Sequence, residues 1–225
     1  MVYMTILLVS AHDDPRSLTG ALQNTALGVL ERAGHKVLVT DLYAQGFNPV
    51  ASSLDFKTKS TVQANYMFEQ QRTVNTNAGF SPDVQVEMDK VTQADLIIFH
   101  FPLWWGSVPA IMKGWFDRVF AMGFAWNANA RFSTGLLRGK KALLVTSAGD
   151  PASFYAAEGM HRASIEQHLY SLAHNTLAFC GIDVLQSVII SNTTAASDSE
   201  LGEDLKAYSE LLGSIDQETD YIYRH

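Results

Sequence analysis

The sequence predicts one α/β domain built on an open five-stranded parallel sheet with helices on both faces. Short, nearly continuous apolar runs recur at Thr5–Ser10, Lys36–Thr40, Asp95–Phe99, Lys141–Ser147 and Val184–Ile190, the pattern of strands buried on both sides. Helical periodicity separates them, as parallel crossovers require. The 225 residues can bury roughly 70% of their unfolded surface, so the fold needs no disulfide or metal staple. No repeat, low-complexity linker or composition shift divides the chain, and the domain takes in residues 1–225.

The first strand reads into a polar loop, Ala11–Ser17, and then a helix whose apolar face is Leu18, Leu22, Thr25, Val29 and Ala33, with Gly34 as its stop. After the second strand, residues 42–82 are rich in Gln, Asn, Ser, Thr and Lys. A stretch of that length within a compact domain is functional or partly helical, and a helix is expected near Val62–Arg72. Pro82–Thr92 reads as a helix leading into the third strand. The next helix carries Val108, Ile111, Met112, Trp115, Val119 and Met122 on one face, with Ser107 as its cap and Pro109 in its first turn. Residues 123–139 read as an excursion or hairpin. The fourth strand follows, then a loop with Gly149 and Pro151, a helix over Ser164–Cys180 stopped by Gly181, the fifth strand, and a last helix over Asp198–Gly213.

Composition narrows the function. Sixteen Lys+Arg against 23 Asp+Glu give a net charge of −7, which argues against a broad nucleic-acid or anionic-membrane footprint. The apolar N-terminus lacks a cationic leader and runs into His12-Asp13-Asp14, so it reads as a strand rather than a signal peptide. The uncharged run between Asp95 and Lys113 is broken by Pro102, Gly106 and Pro109, so no membrane insertion is expected. A lone Cys180 before Gly181 suits a reducing cytoplasm and an inert core thiol. His161, His168 and His174 are seven and six residues apart, and neither that spacing nor any Cys/His motif makes a metal site. Charged residues are 17% of the chain against about 25% in a typical domain, so some apolar surface belongs in a pocket or an interface.

In open parallel sheets ligands bind beyond the carboxyl ends of the strands, which singles out three loops. The first, with His12, Arg16, Ser17 and Thr19 at a helix start, could hold a phosphate, although read alone it favours helix capping with a surface His. It lacks GxGxxG and GxxxxGK[ST]. The second carries Trp104-Trp105-Gly106, which either stacks on a flat ligand or tucks under neighbouring loops. In the third, Ser147-Ala148-Gly149-Asp150 leads to Tyr155 and His161, which could donate hydrogen bonds to developing negative charge or serve as ordinary packing and surface residues.

Together these residues carry a resemblance. Ala11-His12, Asp41-Leu42-Tyr43 with Phe47-Asn48-Pro49, the block Phe101-Pro102-Leu103-Trp104-Trp105 running through Val108–Phe120, and Tyr155 with Gly159-Met160-His161 resemble the flavodoxin-like NAD(P)H:quinone oxidoreductases, from the first strand to about Gly181. The resemblance implies a cytoplasmic homodimer with a flavin at the subunit interface, reduced by NAD(P)H and reoxidised by a quinone or other flat aromatic acceptor in ping-pong fashion. It implies that His12, Arg16, Ser17, Leu18 and Thr19 hold the phosphate end. Pro102, Leu103, Trp104, Trp105 and Gly106 would flank the ring with Ser147, Ala148, Gly149, Asp150 and Tyr155. Tyr155 and His161 would stabilise charge on the reduced ring, and Phe124, Trp126, Asn127 and His161 would line the substrate side, the first three across the dimer.

Pocket and interface together would occupy faces built from Trp104, Trp105, Trp115, Phe124 and Trp126, which would account for the low charge. Arg16, Thr19, Trp104 and Gly106 depart from the animal members. Ala178 stands where one animal branch has a zinc-binding His four residues after the position of His174, so no metal is expected. Length and the 42–82 segment favour FAD, while the acidic Asp198–Leu205 stretch, lacking the basic adenine contact, keeps FMN open. The chain ends at His225 without the extra segment of the longer animal members, which leaves NADH against NADPH undecided. Within the same superfamily, azo- or nitro-compound reduction and an ancillary role at a potassium-efflux channel are the alternatives.

Overall fold

A computed structural model describes residues 3–59 and 65–224. Strands β1 (Thr5–Ser10), β2 (Lys36–Asp41), β3 (Leu96–Pro102), β4 (Lys141–Ser147), β5 (Asp183–Leu185), β6 (Val188–Ile190) and β7 (Tyr221–Tyr223) form one sheet in the order β2-β1-β3-β4-β5-β7, with β6 also on β4. All pairs are parallel except β5 with β7. The order confirms the open α/β sheet. It also places the chain's reversal of direction between β1 and β3, where the loops leaving the two strands diverge and open a crevice.

Alternation along the strands divides the core. Leu7, Val9, Ile97, Phe99 and Leu144 face a layer with α3 (Pro82–Gln93), α4 (Ala110–Val119) and α5 (Ile165–Leu172), while Ile6, Leu8, Leu96, Ile98 and Leu143 face α1 (Leu18–Arg32) and α6 (Asp198–Leu212). Because both faces are covered, β3 is buried along its whole length.

The structure corrects several boundaries. β3 runs on to Pro102, so His100 and Phe101 lie in the strand and not in a loop. The expected fifth strand is split: β5 pairs with Lys141 and Ala142 of β4, and β6 with Val145 to Ser147, leaving Gln186 and Ser187 between them. The antiparallel β7 was not expected; three residues are too short a run to show a period. The helix over Ser164–Cys180 holds α-geometry only to Leu172, then widens into a π turn at Ala173–Leu177 and tightens into a 3₁₀ turn at Ala178–Cys180. Ser107 does not cap α4: its backbone is paired with Trp104, and Pro109 takes the cap position. The buried stripe of α1 is Thr19, Leu22, Gln23, Ala26 and Leu30, one position round from the face centred on Leu18, Thr25 and Val29, because α6 covers that flank.

Within residues 42–82, α2 spans Tyr66–Asn75, and the part of the expected helix at 62–64 lies outside the described residues. The segment is held from below. The Arg118 guanidinium donates to both carboxylate oxygens of buried Asp55, at 3.1 and 3.0 Å, and to the Asn48 carbonyl at 2.6 Å. Tyr66 donates its hydroxyl to Asp55 at 2.5 Å. Trp115 belongs to this core and to no interface face: fully buried, it meets Phe99 edge-on and donates its indole N–H to Glu87 at 2.9 Å.

Candidate active site

Register brings the carboxyl ends of β3 and β4 level, Pro102 against Ser147, while β1 ends two residues short, its Ser10 against His100. Over this edge lies a cleft of about 500 Å³ lined by His12, Ser17, Leu18, Thr19, Pro102, Leu103, Trp104, Ser147 and Gly149, together with Thr193 and Leu201. All but the last two are among the residues singled out in the sequence. Thr193 was missed because it follows β6, outside the three loops: its N–H and hydroxyl both donate to the Ala148 carbonyl. Leu201 comes from α6, far along the chain, with no local signal to mark it.

The first wall is the start of α1. Ser17 caps the helix by accepting the Gly20 N–H, and Leu18 and Thr19 bring to the cleft first-turn N–H groups that no helical carbonyl can reach. The His12 Nδ1 accepts the Asp14 N–H at 3.0 Å, which places the neutral ring's proton on Nε2. Arg16 turns elsewhere. It is exposed and forked onto Asp14 at 3.0 and 2.9 Å, an interaction that lowers the Asp14 carboxyl to about 2. Asp14 is thus paired with its neighbour, while the largely exposed Asp13 stands 3.5 Å from the His12 Nδ1.

The second wall is a two-residue turn. Trp104 and Ser107 exchange both backbone hydrogen bonds at 3.0 Å, and the intervening Trp105 and Gly106 both have positive φ, 52° and 67°. A left-handed tryptophan is costly, and this one is wholly exposed. Gly106 is required here for a second reason: a Cβ would come within 2.7 Å of the His168 Nδ1.

The third wall is the loop after β4. Gly159 lets it double back, because a side chain there would sit 2.4 Å from the Phe154 carbonyl oxygen. The reversal, closed by the His161 N–H on Phe154, stacks the Tyr155 and His161 rings at 4.2 Å and 11°. The His161 Nε2 lies 2.9 Å from an oxygen of Asp150. Burial and the Asp150 charge both push the Tyr155 phenol upward, so it remains a proton donor. His168 of α5 stands edge-on to both rings and touches the space beside Gly106, joining this pair to the Trp104–Ser107 turn. Ala148 is buried, its backbone tied to Ile190 and Thr193.

The residues expected to face the substrate lie elsewhere in the chain. Trp126 lines a separate groove of about 330 Å³ with Gln70, Phe116, Phe120 and Phe179, and this groove shares no residue with the cleft. Its indole N–H is bound to the Phe120 carbonyl. Phe124 is half-buried against the core, and Asn127 closes a turn with Ala130. Within one chain, therefore, these three do not meet Tyr155 and His161. Cys180, on the same groove, is buried and its thiol is pushed up to about 12. His100 is sealed in the core, 2.8 Å from the Tyr208 hydroxyl.

Comparison with known proteins agrees with this architecture. Residues 4–212 match the Flavodoxin_2 family, described by its flavodoxin-like fold. The chain is 40% identical over 212 residues to the ribosyldihydronicotinamide dehydrogenase [quinone] of Homo sapiens, covering 93% of this chain and 91% of that one. It is 35% identical over 218 residues to NAD(P)H dehydrogenase [quinone] 1 of Cavia porcellus, covering 96% and 79%. A solved Klebsiella pneumoniae structure, named as a candidate quinone reductase, superposes with a TM-score of 0.89 at 34% identity over 96% of this chain and 86% of its own.

Proposed function

The chain belongs to the flavodoxin-like NAD(P)H:quinone oxidoreductases, an enzyme family, and from that premise we propose a flavin-dependent two-electron reduction of quinones by ping-pong hydride transfer. The observation that carries this reading is one cleft lined by an anion-receptive helix start, by Pro102, Leu103 and Trp104, and by Ser147 and Gly149 of the loop that goes on to the stacked Tyr155–His161 pair. That set fits a group with a phosphate at one end and a flat ring at the other, and the volume is in the range of such sites. Bound there, a flavin supplies a two-electron carrier between a reduced nicotinamide and the acceptor.

The chain's own residues bind and orient. Ser17, Leu18 and Thr19 hold the phosphate end with helix N–H groups, assisted by His12. Pro102 to Gly106 and Ser147 to Asp150 would border the ring, Trp104 from within the cleft itself. Tyr155 and His161 hold protons against negative charge that develops there. Phe124, Trp126 and Asn127 reach the acceptor side only from a second copy, which makes the working unit a homodimer. Exposed Met67, Phe68 and Trp105 are apolar surface that such a seam would cover. FAD is the favoured flavin and the cytoplasm the compartment. Among the described residues no helix is long and apolar enough to cross a membrane.

The purified protein is expected to be yellow, to release FAD on denaturation, and to turn over benzoquinone faster than an azo dye. In stopped-flow, Tyr155→Phe and His161→Ala slow flavin reduction while flavin stays bound. A colourless protein that takes up neither FAD nor FMN overturns the reading.

A further inference from the structure

Asp150 lies in the loop that follows β4, three positions past Ser147. We infer that it is a positioning residue for His161: by accepting the Nε2 proton it fixes the ring's tautomer and leaves Nδ1 as the nitrogen that gives up and regains a proton. The distance is that of a good hydrogen bond, 2.9 Å, and the pair joins a loop residue to one eleven positions on. Both ends are anchored independently. The Asp150 carbonyl accepts the Asn192 N–H at 2.8 Å, and the His161 N–H is bound to the Phe154 carbonyl at 3.0 Å. The imidazole is therefore fixed in three ways: by the carboxylate at Nε2, by the Tyr155 ring on its face, and by the His168 edge. Those are the side chains that face it, Asp150 and Tyr155 from the loop after β4 and His168 from α5.

The inference rests on the proposed reaction. Reduction of a quinone to a hydroquinone takes up two electrons and two protons. The hydride, drawn originally from the reduced nicotinamide, brings both electrons and one proton. The second comes from the Nδ1 of the doubly protonated His161, which returns to the neutral form with its remaining proton on Nε2 and recovers the other from water. A carboxylate that holds Nε2–H favours this tautomer and orients the ring.

The test has a readout that needs no flavin. In ¹⁵N-resolved NMR of the flavin-free protein, neutral His161 is expected to carry its proton on Nε2, to lose that preference in Asp150→Ala, and to keep it in Asp150→Asn, whose amide oxygen can accept the same N–H. In the flavin-loaded enzyme, Asp150→Ala lowers kcat roughly 3- to 10-fold with little change in quinone KM, in keeping with a half-exposed pair. Added to His161→Ala, it costs nothing further, and Asp150→Asn recovers most of the rate. An unchanged tautomer in Asp150→Ala, or losses that add to those of His161→Ala, overturns the inference. A tautomer that responds in a protein without quinone turnover leaves the Asp150–His161 link standing and removes the proposed reaction instead.

Discussion

Removing the guanidinium of Arg118 while keeping its stem, as in Arg118→Met, should loosen residues 42–82 from the body of the domain. Arg118 and Asp55 are 3% and 1% exposed, so the carboxylate left behind has no access to solvent. Tyr66 would remain to donate to Asp55, and the Asn48 carbonyl would lose its donor. Breaking a buried pair from one side costs about 3–5 kcal/mol, which at about 2–4 °C per kcal/mol for a chain of this size lowers Tm by roughly 6–20 °C. Urea unfolding followed by circular dichroism gives the free energy, and calorimetry gives the Tm. The double variant Arg118→Met with Asp55→Leu should recover part of the loss, because it removes the stranded charge as well. A single-variant loss below about 1 kcal/mol, the worth of a surface ion pair, would refute the reasoning.

Three further outcomes follow from the structure. Burial lowers His100 from 6.5 to about 3, so below pH 6.5 the unfolded chain takes up a proton that the folded one refuses. Its contribution is complete above pH 6.5 and is lost as pH falls toward 3, about 2 kcal/mol between pH 7 and 5, to be seen as an NMR signal of neutral His100 at pH 5 and as a lower urea midpoint. Gly106→Ala puts a Cβ against His168 on left-handed backbone and should cost more than about 1 kcal/mol, with a shift in tryptophan emission as Trp105 moves; an unchanged midpoint and spectrum would count against the turn as described. The buried Cys180 thiol should react with Ellman's reagent at pH 8 only after urea is added, and prompt native labelling would contradict its burial.

Much of the sheet was legible because strand signals are local. Thr5–Ser10 and Lys141–Ser147 declare themselves by apolar runs bounded by polar loops, and the observed strands have those limits. Where signals were mixed, the reading slipped. The loop was expected to begin at His100, yet β3 continues to Pro102, which still pairs in register with Ser147. The split between β5 and β6, and the π turn at Ala173–Leu177, leave no mark in the period. For the site, the sequence reading named nine of the eleven residues that line the cleft, seven from the three loops and Leu18 and Thr19 from the helix start, whereas Thr193 and Leu201 arrive from far along the chain.

By itself, then, the sequence determined the alternation of strands and helices, the three loops at one sheet edge, and the likeness to quinone oxidoreductases carried by Phe101–Phe120 and Tyr155–His161. Those follow from side-chain chemistry and spacing within a few residues. Tertiary structure alone decided that Tyr155 stacks on His161, that Asp150 holds the Nε2 of that ring, that His168 fills the space beside Gly106, and that Arg118 anchors Asp55 across 63 positions. Each of these depends on where the backbone returns to itself, and that is set by packing of the whole domain rather than by any local run of residues.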